Sequence, residues 1–196
     1  QAKSAVIPIN CADVQLDVVL QNFGGLHSTF PTTYLGLPIS PRKLRLVHFQ
    51  FIIDRIRSRL AGWKGRLMPL ARRRVLVRCV LSAMPTFALT VRRAPKKLFK
   101  DIDKARRRFL CAQDEKVSGG KCKVAWKLIT EPESSCGLGI HDLPRFAHAL
   151  QLRWLWWSLQ QPAGPWVGTG TPYDDGDRAL FMASTTVTIG NGDTMT

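Results

Sequence analysis

Apolar residues recur at helical spacing in the middle of the chain. Between residues 46 and 63 they follow one another at steps of three and four, in the order Leu46, Phe49, Ile53, Ile56, Leu60 and Trp63. An α-helix has about 3.6 residues per turn, so this spacing places them on one helical face. The arginines of the same stretch lie off that face. The pattern predicts an amphipathic helix with a buried apolar side and a basic side.

Two further amphipathic helices are predicted downstream. The first covers residues 70–83, with Pro69 at its start and Pro85 beyond its end, because proline suits the first turn of a helix and stops its continuation. The second covers residues 95–110 and carries an apolar stripe of Leu98, Ile102, Ala105 and Phe109. Residues 86–91 fit either an extended segment or a continued helix. Three helices with short links predict a small bundle.

The segments on either side of this bundle have weaker patterns. Residues 5–9 and 32–39 predict short strands, with Gly36 at a bulge or at a close approach by another backbone. Residues 124–129 fit a strand or a short helix. Residues 143–159 predict an aromatic-rich helix in which Phe146, Leu150, Trp154 and Trp157 fall at helical spacing, joined by Leu152, Leu155 and Trp156. This helix is apolar nearly all round, so we expect it to be buried or to bind a partner.

Together these elements predict a mainly α (α+β) fold in four parts. We expect a short N-terminal strand or hairpin in residues 1–41, the basic three-helix bundle in residues 42–111, and a region with the Trp-rich helix in residues 112–160. Glycine and proline are frequent after residue 161, which indicates a linker. Residues 185–193 then predict a strand that enters a hairpin turn, as the start of a truncated C-terminal segment with an otherwise irregular tail.

The positive charge of the chain is concentrated in the predicted bundle. Residues 42–109 contain 21 lysine and arginine residues and three acidic residues, whereas the whole chain of 196 residues has a formal net charge of +15. The flanking segments are therefore slightly acidic. A basic block of this size indicates a polyanionic partner, because each neutralised phosphate releases a counterion.

Four of these basic residues lie close to the start of the second helix, namely Arg72, Arg73, Arg74 and Arg78. Positive charges at a helix N-terminus oppose the macrodipole. No acidic residue nearby in the sequence compensates for them, so a bound anion would help to explain the cluster.

Other kinds of site have less support in the sequence. The five cysteines are scattered and form no C-x-x-C pair, which indicates reduced thiols in an intracellular protein. A zinc site from Cys122, Cys136, His141 and His148 is a weak alternative, since their spacing is irregular. No apolar run approaches the roughly 20 residues that cross a bilayer, and no targeting signal is readable. We expect neither a metal site nor a membrane partner.

Seven short motifs follow one another in an order that resembles a known protein family. They occupy residues 34–39, 63–67, 80–86, 102–110, 124–126, 137–140 and 149–156. Their succession resembles the part of a plant LINE-type (non-LTR) retrotransposon reverse transcriptase that lies downstream of the palm catalytic motif. The likeness covers about residues 1–160.

This resemblance implies a role for each part of the chain. Residues 1–41 would be the end of the palm with its primer-grip hairpin, residues 42–111 the thumb, and residues 112–160 a connection region. The thumb would hold a template–primer duplex by its backbone, which suits an enzyme that accepts any sequence. We therefore predict nucleic-acid contacts at Tyr34, Gly36, Arg55, Arg59, Arg66, Arg72, Arg73, Lys97, Lys100 and Lys104.

The resemblance also implies partners and a location. The expected partners are RNA, RNA–DNA or DNA duplex, and the upstream palm and fingers of the parent polymerase. The family implies work on nuclear DNA, so an intracellular, nuclear location is expected.

The catalytic carboxylates of such a polymerase are not found in the sequence. Polymerisation uses carboxylates that hold two divalent metal ions, and the full-length enzyme would use Mg²⁺. Tyr173, Asp174 and Asp175 lack the intervening residue of the family motif and follow the primer grip instead of preceding it. We interpret them as a solvated turn, and we expect this stretch to contain no catalytic residue and to use no cofactor of its own.

Two other interpretations stay open at this point. The basic faces could meet an acidic protein or an anionic surface, with the Trp-rich helix as a docking surface, so that the chain is a protein-interaction scaffold. The reading frame could also be a degenerate relic of a retroelement. Saturable duplex binding that tolerates any sequence is expected only from the reverse-transcriptase interpretation.

Overall fold

The computed structural model describes residues 5–9, 16–23, 26–63, 65–112, 125–161, 163–164, 175–185, 187–188 and 194–195. Helices account for most of these residues and strands for few, which confirms the mainly α prediction. The chain divides into two compact units, residues 1–49 and 50–196. The finer four-part division stays a prediction.

The first unit begins with a parallel strand pair. Strand β1 (Ala5–Val6) pairs with strand β2 (Leu26–His27), and helix α1 (Leu16–Phe23) lies between them in the sequence. A short 3₁₀ turn, Leu46–Phe49, ends the unit, and Phe49 is fully buried.

The same unit contains an antiparallel hairpin. Strands β3 (Thr32–Tyr34) and β4 (Leu37–Ile39) are joined by Leu35 and Gly36, whose φ angles are 51° and 77°. Two positive φ values in succession are typical of a tight two-residue hairpin turn. The prediction of a hairpin in residues 1–41 is therefore confirmed. The interpretation of residues 32–39 as one strand with Gly36 inside it was wrong, because Gly36 forms the turn.

The second unit is a helical bundle. Its helices are α2 (Gln50–Ala61), α3 (Leu70–Val75), α4 (Thr86–Val91), α5 (Lys96–Ala112), α6 (Trp126–Ile129), α7 (Leu143–Gln160) and α8 (Asp175–Thr185). Helix α3 continues as a π-helical segment, Leu76–Leu81. Strands β5 (Val187–Thr188) and β6 (Thr194–Met195) form a small antiparallel pair.

Helix α5 is central to this bundle. Helix α2, helix α3 with its π-helical segment, and helix α7 all pack against it. Leu98, Ile102 and Phe109 of α5 are buried, as their spacing predicted, and each large apolar side chain buried in this way stabilises the fold by about 1.5–3 kcal/mol. The predicted helices over residues 70–83 and 95–110 are confirmed, with ends that shift by only about two residues.

Only one side of α7 is deeply buried, although its sequence is apolar nearly all round. The helix packs against α4, α5 and α8, and its deeply buried side chains are Leu143, Ala147, Gln151 and Leu155. The predicted stripe of Phe146, Leu150, Trp154 and Trp157 is only half-buried. The prediction was based on the aromatic residues, whereas the most deeply buried row of α7 includes the small residue Ala147 and the amide side chain of Gln151.

The polar atoms of α7 explain why residues 86–91 form a helix. Trp154 Nε1 donates to the backbone oxygen of Thr90 at 3.2 Å. Gln151 Nε2 donates to the oxygens of Leu89 and Arg92 at 3.2 and 3.4 Å. The last carbonyls of a helix have no partner within the helix, so α7 supplies the cap that the local sequence of α4 lacks.

Other expectations outside the core are corrected as well. Helix α8 occupies part of the segment predicted as a linker and irregular tail, and Asp175 is its first residue and not part of a turn; Tyr173 and Asp174 lie outside the described residues. Cys111 takes part in a disulfide bond, so the prediction of reduced thiols does not hold for it. Cys79 and Cys136 are exposed thiols.

Candidate nucleic-acid interface

The outward side of α5 carries a continuous row of basic residues. Lys97, Lys100, Lys104 and Arg107 recur at steps of three and four residues, and all four are exposed. They lie on the face opposite the buried Leu98, Ile102 and Phe109. Among the residues that the structure describes, none of the four forms an ion pair with a carboxylate. We call this row the α5 basic face.

Two of the predicted arginines of α2 lie beside the apolar side of that helix. Arg55 and Arg59 are exposed and one turn apart, and α2 packs against α5. Arg57, on the other side of α2, lies 3.7 Å from Asp54. The predicted Arg66 belongs to a 3₁₀ turn, Gly65–Leu67, and its side chain lies outside the described part.

Neighbouring arginines of α3 have opposite environments. Arg72 is exposed, whereas Arg73 is only 6% exposed. The Arg73 guanidinium donates through Nη1 to the backbone oxygens of Leu110 at 2.5 Å and Phe109 at 3.4 Å. These carbonyls lie near the end of α5, so Arg73 caps that helix. We therefore remove Arg73 from the candidate contacts, which corrects the prediction from sequence.

A carboxylate distant in the sequence pairs with the other two clustered arginines. Glu133 pairs through Oε1 with Arg74 Nη2 and with Arg78 Nη1. Arg74 Nε also donates to the backbone oxygen of Leu138 at 2.9 Å. Three of the four arginines that prompted us to expect a bound anion are thus held by tertiary contacts, and only Arg72 is left exposed without an ion pair among the described residues.

The glycines of residues 137–140 make these contacts possible. A Cβ atom on Gly139, whose φ is 63°, would lie 3.0 Å from Glu133 Oε1. A Cβ atom on Gly137 would lie 1.9 Å from the backbone oxygen of Glu131, a distance that no real side chain can adopt. This motif therefore brings a connecting segment close to the arginines of α3, and its role is structural.

Arg106 is the most deeply buried charge of the basic block, with no exposed surface. Its Nη1 donates to Asp103 Oδ1 at 2.7 Å, and its Nη2 donates to Ser82 Oγ at 3.0 Å and to the His141 oxygen at 2.7 Å. Burial lowers the pKa of Arg106 and raises the pKa of Asp103, the latter against the attraction of the Arg106 charge. The Arg106 side chain joins three segments and is not available to a ligand.

Arg107 is a candidate contact that the sequence prediction left out. Its guanidinium lies 5.4 Å from the ring centroid of Trp126, and that of Arg106 lies 5.3 Å from the same centroid. The Trp126 ring is therefore close to both groups, and a cation over an aromatic face is held by the ring quadrupole. Arg107 could have been predicted from the sequence, because it follows Lys104 by three residues and so continues the row of Lys97 and Lys100.

The predicted primer-grip residues lie at the tip of the β3–β4 hairpin. Tyr34 is 63% exposed and Leu35 is 73% exposed. Gly36 is exposed as well, and nothing lies within 4 Å of the position where its Cβ would be. The tip therefore presents an accessible aromatic ring beside a backbone that another molecule can approach closely.

Neither a metal cluster nor a membrane span is found in the described ranges. No group of three or more His, Cys, Asp or Glu residues there has the geometry to hold a metal ion, and Cys122 of the alternative zinc site lies outside those ranges. No helix among the described residues is long and apolar enough to cross a membrane.

Comparison with known proteins gives a distant likeness. No family model matches the chain. The chain is 25% identical over 130 residues to the Arabidopsis thaliana protein named "Putative ribonuclease H protein At1g65750". The match covers 66% of this chain but only 21% of that protein, so the chain spans about a fifth of the relative's length. This likeness is consistent with a retroelement-related protein and does not single out a reverse transcriptase.

Proposed function

We propose that this chain binds the sugar-phosphate backbone of a nucleic-acid duplex, with an RNA–DNA hybrid as its working partner. In this proposal the α5 basic face is the contact surface, extended by Arg55 and Arg59 of α2 and by Arg72 of α3. The chain would act as the thumb and primer-grip part of a retroelement RNA-directed DNA polymerase.

The observation that carries the proposal is the unpaired row of Lys97, Lys100, Lys104 and Arg107. The row spans about 15 Å of helix axis at about 1.5 Å per residue. A B-form DNA duplex of this length carries about nine phosphate charges. None of these four exposed cations has an ion-pair partner among the described residues. Cations so close together repel one another, so a polyanion stabilises them. Lysines that contact backbone phosphates form no hydrogen bonds with base edges, so binding should tolerate any sequence.

The hairpin tip gives the proposal a second contact. Tyr34 offers an aromatic ring on which a sugar or base can pack, and each such stacking contact is worth about 1–3 kcal/mol. The exposed Gly36 backbone lets a strand end approach without a side chain in the way. We assign the tip to the primer strand because the resemblance places the primer grip there.

The similarity to the Arabidopsis protein agrees with this assignment at a coarser level. The name of that protein concerns a nuclease of RNA, which supports a nucleic-acid partner for the present chain. The distinction between a polymerase thumb and another part of a retroelement protein rests on the order of the sequence motifs. We expect the chain alone to add no nucleotides, and the whole polymerase would use Mg²⁺ held by carboxylates upstream and would work in the nucleus.

The direct test is a titration of the 196-residue chain into fluorescently labelled RNA–DNA hybrids of unrelated sequence, followed by anisotropy at several salt concentrations. Seven backbone contacts predict that log Kd changes with log salt with a slope of magnitude about 6, alike for all sequences. Weak binding at low salt, or binding that depends on sequence, would contradict the proposal. Preferential saturable binding to an acidic protein competitor would favour the scaffold interpretation.

A further inference from the structure

A groove that borders the α5 basic face, and shares Lys100 with it, lies between α5 and α7. Its volume is about 460 Å³, which falls within the usual range of small-molecule sites. Helix α5 contributes Lys96, Phe99 and Lys100, and helix α7 contributes Ala147, His148 and Gln151. These positions recur at steps of three and four on each helix, so two stripes face each other across the groove.

The rim of this groove has uncompensated positive charge. Arg93, Lys96 and Lys100 are exposed, and none forms an ion pair within the described part of the chain. The carboxylate that lines the groove, Asp103, is held by Arg106 at 2.7 Å. His148 pairs with Asp177 at 3.0 Å. The remaining cations favour an anionic ligand, and the nearby N-terminus of α5 adds to the positive potential.

The inner surface of the groove has a different chemistry. Phe99 and Ala147 both line the groove, the first half-buried and the second 4% exposed, and they form its apolar wall. Gln151 is 7% exposed, and its amide nitrogen donates hydrogen bonds to backbone oxygens at the end of α4. Its amide oxygen accepts no hydrogen bond from the residues that the structure describes. The groove thus combines an apolar wall, a hydrogen-bond acceptor and a cationic rim.

We infer that this groove binds a nucleotide through its terminal phosphate. The phosphate meets Lys96, Lys100 and Arg93, the base lies on Phe99 and Ala147, and an exocyclic amino group of the base donates to the Gln151 oxygen. The ligand is a phosphomonoester nucleotide, either free or at the 5′ end of a single strand. The groove and the α5 basic face share Lys100. The two proposals can still be tested separately, because Lys96 lines only the groove and Lys97 belongs only to the α5 basic face.

Adjacent lysines provide a matched test. Lys96 lines the groove and Lys97 belongs to the α5 basic face, yet both are exposed and lie in the first turn of α5. We would titrate AMP, inorganic phosphate and adenosine into the full chain and into Lys96→Glu and Lys97→Glu, with isothermal titration calorimetry at fixed salt. Circular dichroism would check that both variants keep their helix content.

The expected result is saturable AMP binding that is tighter than binding of phosphate or adenosine. Lys96→Glu should weaken AMP by about tenfold or more, since it removes a charge-assisted hydrogen bond, whereas Lys97→Glu should leave AMP affinity within about twofold. Hybrid binding should show the opposite pattern, so each proposal can fail without the other. Equal losses of AMP affinity in both variants, or no saturable AMP binding, would overturn the groove assignment.

A second comparison distinguishes the two sources of the nucleotide. A single-stranded DNA pentamer with a 5′ phosphate that binds at least tenfold tighter than the same pentamer with a 5′ hydroxyl, and that competes with AMP, would identify a strand end. AMP binding without competition by the phosphorylated pentamer would identify a free nucleotide. Pentamers that bind equally with and without the phosphate, while AMP does not bind, would contradict the proposal.

Discussion

The guanidinium of Arg106 donates a hydrogen bond of 2.7 Å to the backbone oxygen of His141. Through this contact the interior of α5 is joined to the segment that enters α7. Arg106 also reaches Asp103 and Ser82, so one buried side chain fixes α5, the end of the π-helical segment and the start of α7. A residue that counts as part of a basic block in the sequence thus stabilises the core.

Replacement of Arg106 by alanine should destabilise the bundle strongly. The change leaves Asp103 without its partner in a largely buried place, and breaking a buried pair costs about 3–5 kcal/mol. Arg107→Ala is the matched control, because Arg107 contacts the same Trp126 ring but is exposed, and it should cost less than about 1 kcal/mol. Urea unfolding followed by circular dichroism measures both. Similar losses in the two variants would show that Arg106 has no special structural role.

The stability of the bundle should fall as the pH drops below neutrality, in part because of His141. Burial lowers the pKa of His141 from its ordinary value of 6.5, and the charges of Arg106 and Arg78 lower it further. Below pH 6.5 the unfolded chain therefore binds more protons at this residue than the folded chain, so acidification favours unfolding. Well above this pH both states are neutral and the effect vanishes.

A comparison with His141→Gln isolates that contribution. The difference in unfolding free energy between the original chain and the variant should stay constant above about pH 7 and should decrease as the pH falls through 6.5. Contributions from Asp103 and the other titrating groups largely cancel in this difference. Urea unfolding at pH values from 5 to 8 is the measurement, and a difference that does not change with pH would refute the prediction.

Two glycines of the helical unit should respond differently to an added methyl group. Gly137→Ala would place Cβ 1.9 Å from the backbone oxygen of Glu131, and relief of such a contact requires a backbone shift that costs about 1–3 kcal/mol or more. In Gly62→Ala the nearest atom, the Arg59 oxygen, lies 3.6 Å away, which is an ordinary contact. We expect a clear fall in the melting temperature only for Gly137→Ala. Equal melting temperatures of the two variants would contradict the close approach of Gly137 to the Glu131 backbone.

Removal of the Tyr34 ring should weaken duplex binding without destabilising the protein. Tyr34 is 63% exposed, so Tyr34→Ala should change the unfolding free energy by about 0.5 kcal/mol or less. Loss of one stacking contact should reduce hybrid affinity by about tenfold. Leu35→Ala at the neighbouring tip position removes a similarly exposed side chain without an aromatic ring and serves as control. Unchanged hybrid affinity in Tyr34→Ala would exclude the hairpin tip from the interface.

The long helices could be predicted from the sequence because their apolar residues contact one another at regular spacing. Leu98, Ile102 and Phe109 are buried as expected. Helix α4 could not be assigned in this way, because its C-terminal carbonyls are capped by Gln151 and Trp154 from α7. Contacts between residues about 60 positions apart leave no local signal.

The candidate site could be predicted only in part, for a related reason. Charge counting treats all arginines alike, yet Arg73 and Arg106 are buried and bound to acceptors inside the protein, whereas Lys97, Lys100 and Lys104 are exposed. Arginine presents several donors in a fixed planar arrangement and is less strongly hydrated than lysine, so it is the residue that can cap helices in a core. The lysines of α5 are the more dependable indication of a surface that contacts phosphate.

Reversal of the charge of the α5 basic face is the most direct test of its role in duplex binding. The variant with Lys97→Glu, Lys100→Glu and Lys104→Glu would be compared with one that carries Arg145→Glu, Arg153→Glu and Arg178→Glu. Both lose the same charge, and all six side chains are exposed. Affinity for a labelled RNA–DNA hybrid would be measured by anisotropy at fixed salt, with helix content checked by circular dichroism.

We predict that the α5 variant loses hybrid binding by about 100-fold or more, because three backbone contacts become repulsive, at more than 1 kcal/mol each. The control variant should lose about tenfold or less, through the change in net charge alone. Equal losses in the two variants, with both folded, would show that binding follows overall charge and would contradict the assignment of α5 as the duplex-binding surface.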